Sequence, residues 1–182
     1  MTAPSTAAAL VAEHVNSRPA TLGGAKLICI DGPSGSGKTT LADRLVHLVP
    51  ATVVHTDQLC PGWDGLPAVP AILASLLAPL AEGRAGRFRE WDWIRDRLAG
   101  TVEVEPAAAL IVEGLGAGAR ALAGWTTTLV WMDADPLPRR TRAFERDGDY
   151  FRDQWSGWAA AEEAYFAAEQ VPERADLAFR TG

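Results

Sequence analysis

The segment Gly32-Pro33-Ser34-Gly35-Ser36-Gly37-Lys38-Thr39 satisfies G-x-x-x-x-G-K-[ST] at every fixed position and lies between an apolar run and a helical one. No other feature of the chain narrows the fold as far. Such a loop curls its backbone N–H groups around phosphate oxygens, which requires a buried strand to deliver it and a helix N-terminus to receive it. Lys26 to Ile30 supplies the strand, and the spacing of Leu41, Leu45, Val46, Leu48 and Val49 predicts a helix over Thr39 to Val49. The nucleotide-binding residues expected from the motif are Gly32, Ser34, Gly35, Ser36, Gly37, Lys38, Thr39 and Thr40. Lys38 would reach the outer phosphates of ATP, and Thr39 would ligate Mg2+. Of the 17 Lys and Arg residues only Lys26 and Lys38 are lysines, so a compact ammonium at 38 stands out against an arginine background and suits a point-charge role.

Thr52 to His55, Leu110 to Val112, Thr128 to Met132 and Asp176 to Phe179 read as four further strands. Ala68 to Leu80 carries Ile72, Leu73, Leu76, Leu77 and Leu80 on one helical stripe, with Pro79 set to disturb its last turn. Tyr150 to Gln170 reads as a long helix. Strands alternating with helices call for an α/β fold with a mostly parallel, five-stranded sheet covered by helices on both faces, whose ligands bind beyond the carboxyl ends of the strands. The 182 residues form one expected domain, with an N-terminal helix within residues 1–20 and an arginine-bearing lid over about 136–150. A net charge of −6 opposes binding to nucleic acid, and no run approaches the roughly 18 to 20 apolar residues that would cross a membrane. The first residues lack the basic region of a signal peptide. Two cysteines with no CxxC pair and no nearby His suggest neither zinc nor a disulfide framework, and a reducing, cytoplasmic setting follows as an expectation. The expected partner is a small-molecule substrate; no stripe separable from the core predicts an oligomer.

Several side chains are candidates for chemistry around the loop. Glu113 closes the run Leu110-Ile111-Val112 where a second acidic group would face the loop and order magnesium through water, and Gly114 beside it would let the backbone approach a ligand. Asp57, just beyond the second strand, should emerge on the same sheet edge; it is a candidate general base for a substrate hydroxyl, with a turn cap as its alternative. His55 reads as a half-buried strand residue. Arg139, Arg140, Arg142 and Arg146 form a basic cluster, with 139, 142 and 146 on one helical face and Gly148 as a hinge; Arg142 and Arg146 are expected to close over the nucleotide. Trp91-Asp92-Trp93 could stack a planar ligand and bind a sugar hydroxyl, or could belong to a half-buried strand. Trp155 and Trp158 fall with Phe151, Tyr165 and Phe166 on one side of the long helix and read as core. Glu162 and Glu163 receive no role.

Taken in order, these residues resemble the uridine kinase and phosphoribulokinase branch of P-loop kinases, from Ile28-Cys29-Ile30-Asp31-Gly32 to about Asp147. The resemblance implies a P-loop NTPase fold and makes Asp57 the residue that activates a nucleoside 5′-hydroxyl. Trp91-Asp92-Trp93, then Arg97, Thr101 to Pro106 and Ile111-Val112-Glu113-Gly114, is similar to the family's run of aromatic-Asp-aromatic, basic residue, short strand and acidic-Gly. It implies that Asp57, Trp91, Asp92, Trp93 and Arg97 bind the acceptor. Met132-Asp133-Ala134-Asp135 with Arg139-Arg140 and Arg146-Asp147 is similar to the family's aspartate pair and arginine lid. Trp91 stands where the family has tyrosine, and Asp96 stands near its pyrimidine-reading histidine. The expectation is an ATP- and Mg2+-dependent kinase with a hydroxyl acceptor, a nucleoside first. Another metabolite acceptor (a nucleoside monophosphate, a sugar acid or an antibiotic hydroxyl) or a non-kinase ATP-binding regulator are its alternatives.

Overall fold

The computed structural model describes residues 3–181, apart from the side chains at 146, 147, 149 and 150. In chain order the elements are α1 (Pro4–Ser17), β1 (Lys26–Asp31), α2 (Lys38–Leu45), β2 (Thr52–His55), α3 (Val69–Ala81), β3 (Gly86–Asp92), β4 (Arg97–Val104), β5 (Ala109–Glu113), β6 (Thr128–Ala134), α4 (Pro136–Glu169), α5 (Val171–Arg174) and β7 (Leu177–Thr181). Five strands form one sheet in the order β2-β5-β1-β6-β7, every pairing parallel, and β3 with β4 forms a separate antiparallel hairpin. β1 is central, so the loop that follows it leaves the middle of the sheet's carboxyl edge.

The apolar run of β1 is continuous because the sheet is covered on both faces. Ile28 and Ile30 point with Ile111, Val130 and Met132 into a core built with α1 and α2. Leu27 and Cys29 alternate to the other side, into a core shared with α3, the hairpin, Leu122 and Val171. On α3 the expected stripe is buried at Leu73, Leu76, Leu77 and Leu80, and Pro79 is accommodated near the helix end.

Three expectations change in detail. The helix after the loop ends at Leu45 and continues as turns through Leu48, which leaves Leu48 51% exposed rather than on the apolar stripe. The family's short strand at 101–104 is the end of the longer β4, whose Arg97 pairs with Asp92 across the hairpin. The lid and the long helix run together over Pro136–Glu169, broken once where Gly148 takes φ 71° and ψ −160°, a conformation essentially confined to glycine. The hinge expectation thus coincides with the one non-helical residue of α4.

Candidate functional site

The loop from Gly32 to Gly37 holds its shape through positive-φ glycines and through what presses against them. Gly32 (φ 148°) packs so closely that a Cβ would lie 2.0 Å from the carbonyl oxygen of Met132 on β6. Gly35 (φ 78°) meets the lid, where a Cβ would lie 2.1 Å from the carbonyl oxygen of Arg139. Gly37 (φ 92°) precedes α2 with no side-chain cap, so the first N–H groups of that helix remain available to an anion.

Lys38 is buried, and its Nζ donates to the carbonyls of Gly32 (2.7 Å) and Pro33 (3.0 Å), resting across the loop it would serve. Ser36 Oγ is buried within the loop and unpartnered. A buried hydroxyl without an acceptor, an uncapped helix start and a lysine folded onto its own loop fit a phosphate chain, which would satisfy all three.

β2 and β5 bring His55 and Glu113 together at the same sheet edge, where they are register partners. His55 Nδ1 lies 2.6 Å from Glu113 Oε1, and Thr39 Oγ1 donates to the same oxygen at 3.1 Å. Burial alone would push the Glu113 carboxyl up; the His55 hydrogen bond, the Lys38 charge and the Thr39 hydroxyl outweigh it and hold the group below the usual carboxylate range. The same hydrogen bond raises His55 above the usual imidazole value, against the opposing pull of burial. Thr39 and Glu113 offer two oxygens to a magnesium ion that keeps most of its water, the form in which Mg2+ is usually bound. Gly114 is also held by a protein contact: at φ 123° a Cβ there would stand 2.1 Å from Thr56 Oγ1.

A cleft of about 750 Å³ opens over this edge. Ser34, Gly35, Gly37, Lys38, Thr39 and Thr40 line one end, with Glu113, His55 and Arg142 beside them. Asp57 lines the cleft as well, exposed on the 3-10 turn Thr56–Gln58 that follows β2. One wall is aromatic: Trp63 stacks on Phe151 (centroids 5.2 Å apart, 20° between planes) and meets Trp93 and Trp158 edge-on at 4.9 and 5.7 Å. Trp93 Nε1 donates to the backbone carbonyl of Asp57 at 2.9 Å, which ties the aromatic wall to the acidic turn.

Of the expected site residues, the structure brings the loop, Asp57, Glu113, Trp93 and Arg142 to one cleft. It does not bring Trp91, Asp92 or Arg97 to the lining. A register shift between Arg89 and Trp91 bends β3, and the Trp91 ring packs against Gly62 instead. Asp92 caps the hairpin turn, accepting from the backbone N–H of Ile94 and Arg95 and from the Arg95 guanidinium, which hold its carboxyl below the usual range. Arg142 Nε donates to the carbonyl of Gly35 at 2.8 Å. The side chain of Arg146 lies outside the described residues. Trp158, expected in the core, reaches the site: its Nε1 donates to Ser34 Oγ at 3.0 Å. Trp63 escaped sequence reading altogether, because it sits alone in a Gly- and Pro-rich segment with no periodicity to place it.

No family model matches the chain, and no curated protein matches it in sequence. Solved structures do match. The Possible Uridine Kinase from Bacillus stearothermophilus superposes with a TM-score of 0.66 over 95% of this chain and 97% of its own, at 19% identity. The "putative fructose transport system kinase" from Silicibacter sp. TM1040 superposes with a TM-score of 0.60 over 98% of this chain and 100% of its own, at 21% identity. The chain has their fold, a P-loop NTPase α/β fold with a parallel five-stranded sheet flanked by helices. Among the described residues no helix is long and apolar enough to cross a membrane.

Proposed function

We propose that the protein is a phosphotransferase that passes the γ-phosphoryl group of Mg-ATP to a hydroxyl of a small metabolite, with a nucleoside as the first acceptor to test. One observation carries the reading: the phosphate loop and Asp57 line the same cleft, with an aromatic wall beside the aspartate. The two structural neighbours carry different kinase descriptions, one naming uridine and the other a fructose transport system, so the acceptor must come from experiment.

Mg-ATP, when bound, supplies the phosphoryl group and the charge neutralisation of its metal ion. The loop N–H groups and the start of α2 would hold the phosphates, and Thr39 with Glu113 would hold the magnesium ion. Asp57 orients the acceptor hydroxyl and takes its proton as the oxygen attacks. Lys38 and Arg142, which rest on loop carbonyls in the present arrangement, turn towards the charge that develops during transfer. Trp63 and Trp93 orient a planar part of the acceptor, a role for which Trp91, Asp92 and Arg97 lie too far round the hairpin. The buried, free Cys29 and Cys60, whose thiols burial pushes up to about 12, are poor nucleophiles and take no part in the transfer.

The test is acceptor-dependent ADP formation from Mg-ATP with nucleosides, nucleoside monophosphates and sugars. Asp57→Asn should lower turnover by about 100-fold or more while leaving ATP affinity within about threefold, the pattern of a lost general base. Lys38→Ala should weaken ATP binding by roughly tenfold or more as well as turnover. ATP binding with no acceptor-dependent turnover would favour a regulator that hydrolyses slowly.

A further inference from the structure

The second half of α4 attaches to the phosphate loop through one stripe of polar side chains. Trp158, Glu162 and Tyr165 are spaced four and three residues apart, on one face of the helix. All three hydrogen-bond the loop or the strand residue before it: Trp158 donates to Ser34 Oγ at 3.0 Å, Glu162 Oε1 accepts the backbone N–H of Ser34 at 2.8 Å, and Tyr165 donates to Asp31 Oδ2 at 2.8 Å. Glu162 is 2% exposed. Its other oxygen pairs with Arg139 at 3.1 Å, and Arg139 belongs to the lid half of α4, on the far side of the Gly148 break. The same Arg139 guanidinium lies 3.4 Å from the Ser34 carbonyl, so Ser34 is held at its N–H by the carboxylate and at its carbonyl by the arginine.

A buried carboxylate beside a loop shaped for anions works against that loop unless its charge is matched. Arg139 matches it. We propose that Glu162 is a positioning residue of the phosphate site: with Arg139 it clamps Ser34 from both sides, sets the charge beside the loop to zero and joins the lid to the loop as one unit. This assigns Arg139 to the clamp and leaves Arg142, which lines the cleft, as the lid cation that meets the phosphates. The inference rests on reading the loop as a nucleotide phosphate site.

Charge bookkeeping makes the role testable without an acceptor. The clamp is neutral in the natural protein, positive in Glu162→Gln, negative in Arg139→Gln and neutral again in the double variant. Pyrophosphate and Mg-ATP binding, measured by calorimetry, should therefore be tightest in Glu162→Gln, about fivefold tighter than in the natural protein, and weakest in Arg139→Gln. The double variant should return to within about twofold of the natural protein, since its clamp is neutral again. Hydrogen exchange over residues 136–147 should speed up in each single variant and recover in the double one, while the sheet amides stay unchanged. A role in packing alone predicts weaker binding in all three variants, and either that pattern or equal affinities throughout overturns the proposal while the nucleotide reading stands. If the natural protein binds neither pyrophosphate nor Mg-ATP, the nucleotide reading fails and the clamp fails with it.

Discussion

Asp31 illustrates how much a single buried group can do in front of a phosphate loop. It has no accessible surface, and its carboxylate accepts the backbone N–H groups of Gly32 and Gly118, each at 2.7 Å, together with the Tyr165 hydroxyl. Burial pushes its pKa up to about 6, against the lowering effect of those donors and of the Lys38 charge. The folded protein therefore holds a proton on Asp31 between about pH 4 and 6 that the unfolded chain releases, so this group's contribution to stability falls as pH rises through that window and grows as pH is lowered. Asp31→Asn lacks the linkage. Its stability deficit relative to the natural protein, read from urea unfolding, should widen by on the order of 2 kcal/mol between pH 7 and pH 4.5. Gly35 is the companion case. Gly35→Ala adds a Cβ that meets the Arg139 carbonyl at 2.1 Å in a left-handed backbone, so ATP affinity and the lid's exchange protection should fall together.

Among the elements, α4 decides where the lid sits. A straight helix through residue 148 could not set Arg139 and Glu162 on the same loop residue from its two halves, and the glycine break allows it. Among the described residues, and apart from its chain neighbours and the helix's own nearby backbone, no atom lies within 4 Å of a Cβ built at Gly148, so the cost of a side chain there is chiefly conformational. Gly148→Ala should cost about 1 to 3 kcal/mol in the bent form. Partial straightening would release Arg139 and Arg142 from Ser34 and Gly35, which limited proteolysis within 136–150 should report as faster cleavage. The hairpin makes the opposite point. Its two tryptophans look equivalent in Trp91-Asp92-Trp93, but β3 ends at Asp92, so Trp91 lies in the strand against Gly62 while Trp93 opens the turn and faces the cleft.

At the scale of the whole molecule, the cleft is assembled from segments far apart in the chain: the loop after β1, the turns after β2 and β5, the hairpin end and α4. Four aromatic rings gather there, and an acceptor entering among them should change tryptophan emission. Trp63→Ala should abolish most of that change and raise the acceptor KM by about tenfold, with ATP affinity unaltered. A loss of ATP affinity instead would put Trp63 in the nucleotide half of the site.

By itself the sequence determined the phosphate-loop motif, the parallel sheet around it, the acidic residues at the strand ends and the glycine at which α4 breaks. Those features are local: a motif of fixed spacing, apolar runs whose two faces are both buried, and backbone conformations that only glycine takes. Tertiary structure alone decided that Trp63 and Trp158 stand in the cleft while Asp92 caps a turn. It also decided that Glu162, silent in the sequence, meets a loop residue 128 positions away. A buried carboxylate on a helix has no periodic signature that separates it from an exposed one, and its meaning comes only from the charge and the N–H group that the fold sets opposite it.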